Sequence, residues 1–233
     1  MQTNWEILKI LLESSGLRTA YLWGPPGIGK TYGAQRWGLQ GRDVFTVTLT
    51  EETPAAELRG HYIPKGGEFV WHDGPVSQSM RKGARLILNE VAHASCDVLS
   101  FLYAVLESPE TSKITLPTGE TLSPSTGFQC IITDNVAPTS LPAPLQDRID
   151  ATLLVEVPSP QAIQSFPENL RDMITKCATV KDASQRISLR SWEAVERLAK
   201  GGVDFEVAAR AVFGDKWNSV QAALKIARAA GVS

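Results

Sequence analysis

The sequence predicts an α/β protein, a parallel sheet wrapped by helices, followed by a smaller part that is wholly helical. Three observations carry that prediction. The apolar run Thr19–Trp23 opens directly into a glycine- and proline-rich loop that ends in Lys30-Thr31, where a helix should start. Further short apolar or β-branched runs alternate with helical patterns as far as Val157. At Pro158-Ser159-Pro160 the composition shifts, and the remainder is rich in Ala, Leu, Arg and Glu at helical spacing with no convincing strand. The expected division is therefore 1–157 and 158–233.

The elements follow in order. In residues 4–15, Trp5, Leu8, Leu11 and Leu12 share one helical face, and Gly16 is a stop. After the strand and the loop, a helix should run from residue 30 to about 39. Residues 44–50 read as a β-branched strand, and 51–59 as a short helix with Pro54 in its first turn. Residues 62–73 place two aromatic, apolar arms around Lys65-Gly66-Gly67, a hairpin pattern, and a helix resumes over 75–83. Residues 85–90 form an apolar strand with a polar end. Ser95 caps a helix whose stripe is Val98, Leu99, Leu102, Val105 and Leu106. A second hairpin is expected over 113–129 around Pro117-Thr118-Gly119. A strand at 130–133 ends at Asp134-Asn135, a short helix covers 142–147, and a last strand covers 152–157. Trp192, Leu198, Trp217 and Leu224 are expected in the core of the helical part.

Composition narrows the function. A chain of 233 residues with 43% apolar and 21% charged content is an ordinary globular protein, one large domain or one with a satellite. A net charge of -2 gives no global basic footprint for nucleic acid or an anionic membrane. Cys96, Cys130 and Cys177 have no metal-like spacing and read as buried thiols in a reducing compartment. No signal-peptide core follows the amphipathic start, and no apolar run approaches the ~18 residues that span a bilayer. The expected location is cytoplasmic.

The chemistry concentrates in residues 24–31. Gly24, Gly29, Lys30 and Thr31 match G-x-x-x-x-G-K-[ST] without a mismatch. Glycines let successive N–H groups turn inward around a phosphate, and the following helix adds its positive end. Lys30 then reaches the β- and γ-phosphates and the Thr31 hydroxyl ligates Mg²⁺. The cofactor-binding set is Gly24, Pro25, Pro26, Gly27, Ile28, Gly29, Lys30, Thr31 and Tyr32, and the cofactor it implies is a nucleoside triphosphate. The second element is Asn89-Glu90 at the end of the 85–90 strand. In such enzymes this strand normally ends in Asp-Glu, the Asp holding Mg²⁺ through water and the Glu activating the attacking water. Here Asn89 replaces the Asp. Losing one charged contact costs about 1–3 kcal/mol of metal or transition-state stabilisation. His61, His72 and His93 lack a carboxylate or thiol cluster and read as surface residues rather than metal ligands.

Taken together, these motifs in this order resemble an AAA+ ATPase, and more closely its MoxR-like, dynein-related branch, over roughly the whole chain. GPPGIGKT looks like Walker A and LILNE like Walker B, with Asn89 and Glu90 placed at the metal. Asn135 matches sensor 1, which positions the lytic water. LQDRID is similar to the family's L-x-D-R-F-D, which makes Arg148 the arginine finger that acts on a neighbouring subunit's nucleotide. Ser188-Leu189-Arg190 resembles sensor 2, with Arg190 contacting the γ-phosphate as a lid closes. The resemblance implies a three-layer αβα P-loop NTPase core with a five-stranded sheet in the order 5-1-4-3-2, and a small all-α lid. It places a helix-2 insert at about 61–74 and a hairpin before sensor 1 at about 113–129, both facing a ring's pore. It further implies ATP and Mg²⁺, a homo-oligomer, usually a hexameric ring, and remodelling of a protein client, often one with a von Willebrand factor A domain. Val91-Ala92-His93 departs from the family's usual hydrophobic-Asn-Arg, so the contacts of that stretch do not transfer. Asn89 also raises the alternative of an ATP-gated assembly module with slow or no turnover. A nucleic-acid motor is disfavoured, because Lys113 is the only basic residue in the second hairpin.

Overall fold

Strands form where short apolar, β-branched runs can be buried on both faces, as a helix-covered parallel sheet requires. The structure, a computed structural model, describes residues 3–180 and 182–222, so Leu224 lies outside the described residues. The elements are α1 Asn4–Glu13, β1 Thr19–Trp23, α2 Lys30–Arg36, β2 Val44–Thr48, α3 Ala55–Arg59, β3 Gly60–Lys65, β4 Glu68–Asp73 and α4 Pro75–Lys82. They continue as β5 Arg85–Asn89, α5 Cys96–Val105, β6 Ile114–Thr115, β7 Thr121–Leu122, β8 Gln129–Asp134, α6 Ala143–Gln146 and β9 Ala151–Leu154. They go on as α7 Pro160–Gln164, α8 Glu168–Ala178, α9 Leu189–Lys200 and α10 Phe205–Phe213, and residues 217–222 are also helical.

The main sheet runs β2-β5-β8-β1-β9, and every pairing in it is parallel. Numbered within that sheet alone, this is the expected 5-1-4-3-2; the hairpins β3–β4 and β6–β7 form two separate two-stranded sheets. The central strand β8 is buried along its whole length. Two compact units result, one of residues 1–24 and 34–154 and the other of residues 25–33 and 155–233.

In the first unit, Leu86, Leu88, Cys130, Ile132, Val98 and Leu102 belong to one fully buried cluster. Removing a side chain of that kind to Ala costs about 2–5 kcal/mol. The helix α1 starts with a reciprocal capping box between Thr3 and Glu6. It buries Trp5, Leu8 and Leu12, and Trp5 meets Trp37 edge to face at 5.3 Å. In the second unit the core holds Phe166, Ile174, Trp192, Phe213 and Trp217, with Trp192 and Phe213 centroids 4.7 Å apart.

Several boundaries move, each for a local reason. β9 stops at Leu154, not 157, because its partner β1 stops at the paired Trp23. β2 stops at Thr48 because Thr48 pairs with Asn89, the last residue of β5. The helix after the loop ends at Arg36, short of 39, since Gly38 turns the chain with φ 58°. Pro54 caps α3 instead of lying in its first turn. Leu198 is 38% exposed: α9 buries Leu189, Trp192 and Val195 at spacing three, and nine residues on from Leu189 that face has rotated to solvent. Of the three thiols only Cys130 is buried, whereas Cys96, the first residue of α5, is exposed. Burial pushes the Cys130 thiol up to about 12. Leu11 lies at the edge of the α1 face, half-buried.

Candidate active site

Within the second unit the glycine-rich loop is bound to the first turns of two helices. Ser159 N–H donates to the Ile28 carbonyl at 2.9 Å, and Leu189 N–H donates to the Gly27 carbonyl at 2.8 Å. Gly27 has φ +70°, and a Cβ there would lie 2.3 Å from Ser188 Cβ. Gly29 has φ +95°, and a Cβ there would lie 3.1 Å from Ser159 Cβ. These two positions require glycine for both torsion and room. Lys30 opens α2, is 7% exposed, and donates from Nζ to the Pro25 carbonyl at 2.8 Å. Gly24 and Ile28 are buried, Pro26 is exposed, and Thr31 is half-buried. Tyr32 packs against the helical core that includes Leu189 and Trp192. A backbone cradle with no Cβ, one buried cation and one hydroxyl suits a polyphosphate with Mg²⁺.

Within the first unit, the carboxyl ends of β5 and β8 carry the polar set. Asn89 bridges two neighbouring strands, Nδ2 to Thr48 Oγ1 at 3.3 Å and Oδ1 from Thr133 Oγ1 at 2.6 Å. Glu90 then leaves the strand with φ 60°, ψ 43°, a left-handed conformation that costs a non-glycine residue on the order of 1–3 kcal/mol. The turn is held by Glu90 N–H to the Thr133 carbonyl at 2.9 Å and His93 N–H to the Glu90 carbonyl at 3.0 Å. Asn135 Nδ2 donates to Glu90 Oε1 at 3.0 Å and Oε2 at 3.3 Å. The predicted pair is thus in direct contact, although the two residues are 45 positions apart.

Sequence reasoning missed the residue beneath this pair. Asp134 is 1% exposed and accepts from Ala92 N–H at 2.8 Å and Asn135 N–H at 2.7 Å. One carboxylate therefore fixes both the segment after Glu90 and the backbone of Asn135. Tyr21, fully buried in β1, donates to the Val136 carbonyl at 2.9 Å. Burial, then the charges of Asp134 and Glu90, raise its phenol far above its ordinary range, so it remains a neutral donor. Only the polar Asp-Asn pair at a strand end signalled this cluster.

The two arginines differ. Arg148 is not free: its guanidinium donates to Glu107 Oε1, to the Pro144 carbonyl at 2.6 Å and to the Tyr103 carbonyl at 3.1 Å. Arg190, second residue of α9, is exposed. His61, His72 and His93 are exposed, and no group of three metal-ligating side chains occurs among the described residues. In the first hairpin Trp71 packs against the core, while Tyr62 is 45% and Phe69 76% exposed. No helix among the described residues is long and apolar enough to cross a membrane.

Comparison with known proteins agrees with this architecture. Residues 20–149 match the model of the AAA domain, dynein-related subfamily. NorQ of Paracoccus denitrificans is 37% identical over 113 residues, 48% of this chain and 42% of NorQ. CbbQ of Hydrogenophilus thermoluteolus is 29% identical over 114 residues, 48% of this chain and 42% of CbbQ. The chain thus spans less than half the length of these curated relatives. A crystal structure of a Cytophaga hutchinsonii protein superposes with a TM-score of 0.54 at 17% identity, covering 83% of this chain and 60% of that one. A single-residue variant of Thermotoga maritima RuvB superposes with a TM-score of 0.51 at 17% identity, covering 90% of this chain and 68% of that one. Fold and motifs define a P-loop nucleotide-binding protein of the AAA+ class. Within that class, the chain belongs to the dynein-related AAA family, in which its NorQ- and CbbQ-like relatives mark it as MoxR-like.

Proposed function

We propose that the chain hydrolyses ATP as one subunit of a homo-oligomeric ring, a hexamer by family resemblance, and uses turnover to remodel or activate a protein partner. The observation that carries hydrolysis is the Glu90–Asn135 contact on a strained backbone at the carboxyl edge. A carboxylate held there can take a proton from water, and the amide fixes its orientation. Gly24, Pro25, Pro26, Gly27, Ile28, Gly29, Lys30, Thr31 and Tyr32 bind the nucleotide, with Lys30 on the phosphates. Thr31 holds Mg²⁺, assisted through water by Asn89 and by Glu90. The metal supplies charge neutralisation on the phosphates. Arg148 serves the neighbouring subunit and Arg190 couples the lid. On this reading the nucleotide-binding domain is 1–157, with inserts at about 61–74 and 113–129, and the lid is 158–233. One relative, NirQ of Stutzerimonas stutzeri, is described as a denitrification regulatory protein; by family resemblance the partner of this chain carries a von Willebrand factor A domain. The cell compartment on this reading is the cytoplasm.

A second reading, an ATP-gated assembly module with slow turnover, is favoured by Asn89 and by the engagement of Arg148 with Glu107. Steady-state phosphate release across protein concentration separates the two. A specific rate that rises with concentration and vanishes in Glu90→Gln supports the ring ATPase. A flat, negligible rate that Asn89→Asp rescues supports the module.

A further inference from the structure

The amino edge of the sheet collects cations. Arg42 precedes β2, Arg85 opens β5, Gln129 opens β8 and Arg18 precedes β1. In the sheet order these stand side by side, and Arg85 pairs with Gln129 in register. Arg85 is fully buried and gives its N–H groups to the carbonyls of Ala34, Trp37 and Gly38 and to Gln129 Oε1. Arg42 donates to the same Gln129 oxygen at 3.0 Å and to the Gly38 carbonyl at 3.4 Å. Arg18 Nη1 donates to the Glu107 carbonyl at 2.5 Å. Among the described residues, none of the three forms an ion pair with a carboxylate. The guanidinium hydrogen bonds of all three thus go to neutral oxygens, while the Asp150 carboxylate takes the Arg18 main-chain N–H at 2.8 Å. The strain is visible on Arg85, which burial and the neighbouring Arg42 charge lower to about 10. Glu110 interacts with Arg18 only weakly, behind its own backbone and Ser108 contacts.

A cavity of about 220 Å³ opens beside this row, lined by Arg18, Arg42, Ser15, Ser125, Thr126 and Gly127 among others, with no acidic residue in its wall. The Arg18 and Arg42 forks retain unused N–H donors, and the hydroxyls of Ser15, Ser125 and Thr126 line the same cavity. Guanidinium forks and hydroxyls are the chemistry that holds a phosphate. The space exceeds that of a bare phosphate. We propose that this amino-edge pocket is a second anion site, which takes a small phosphate-bearing molecule between Arg18 and Arg42, apart from the glycine-rich loop.

The proposal does not depend on the ATPase reading, and the test keeps them separate. The full chain carrying Lys30→Ala, which disables the loop, is titrated calorimetrically with inorganic phosphate and with glycerol 3-phosphate at fixed ionic strength. Saturable binding is expected, weakened about tenfold or more by Arg18→Gln and by Arg42→Gln. Arg42→Lys should retain part of it, and Lys176→Gln, which does not line the cavity, all of it. Tighter binding of the ester identifies a phosphorylated metabolite as the ligand, and equal binding identifies free phosphate. Melting without ligand checks folding of each variant; if Arg42→Gln does not fold, Arg18→Gln and Arg42→Lys decide. No saturable binding of either probe, or binding that both glutamine variants leave intact, overturns the proposal.

Discussion

The two edges of the same sheet are built to opposite charge logic. The carboxyl edge gathers Glu90, Asp134, Asn89 and Asn135, and each of the first two acids is hydrogen-bonded by an amide or main-chain N–H. The amino edge gathers Arg18, Arg42 and Arg85, held by carbonyls and one glutamine. At the first edge, hydrogen bonds orient negative groups that chemistry can use. At the second, the same β5 and β8 strands begin with a buried cation and its acceptor. One strand pair can therefore carry a reactive end and an end whose positive charge is satisfied only in hydrogen-bond number. The contrast separates what a family pattern specifies from what packing specifies.

The sharpest way to break the comparison is at the amino edge. Arg85→Leu removes the guanidinium from the carbonyls of Ala34 and Trp37 and leaves that of Gly38 to Arg42 alone, and stability should fall by about 3–5 kcal/mol in chemical denaturation. A loss below 1 kcal/mol would show that water replaces the guanidinium easily. At the carboxyl edge, Glu90→Gln should lower phosphate release about 100-fold or more with nucleotide affinity kept, as measured by calorimetry. Asp134→Ala removes the acceptor of the Ala92 and Asn135 N–H groups. We expect about 2–3 kcal/mol of destabilisation and a fall in turnover, and an unchanged melt would remove Asp134 from the support of Glu90. Asn89→Asp keeps both hydroxyl contacts, since each threonine can donate, and should raise turnover by about tenfold at most through about 1 kcal/mol at the metal.

The smallest effect concerns the strand that joins the edges. Cys130 ionises near 9.0 when unfolded but near 12 in place, so above pH 9 the folded state binds the extra proton. Stability should then decline from pH 9 towards 12, and Cys130→Ala should flatten that part of the profile. An identical alkaline slope in both proteins would assign the decline to other groups.

Much of the carboxyl edge was legible because its signals are local. A strand ending in Asn89-Glu90 and another ending in Asp134-Asn135 follow from apolar runs that stop at polar pairs. The amino edge was not legible, because Arg85 reads as the ordinary polar start of a strand. Its burial depends on where Trp37 and Gly38 fold back, more than 40 residues upstream. The bond from Arg148 to Glu107 is hidden for the same reason, 41 positions apart with no local pattern to join them. Thr48 and Thr133, the partners of Asn89, become visible only once strand register is fixed. The exposures of Cys96 and Leu198 reflect helix phase, which a count of apolar residues does not resolve.

One side chain on α4 has a mechanical consequence. Arg81 donates to Asp73, at the end of the first hairpin, at 2.9 Å, and to both carboxylate oxygens of Glu120, in the second, at 2.6 and 3.0 Å. The two hairpins share no strand pairing. Both are nonetheless tied to α4 through this one guanidinium at the surface, so Arg81→Ala would remove both ties at once.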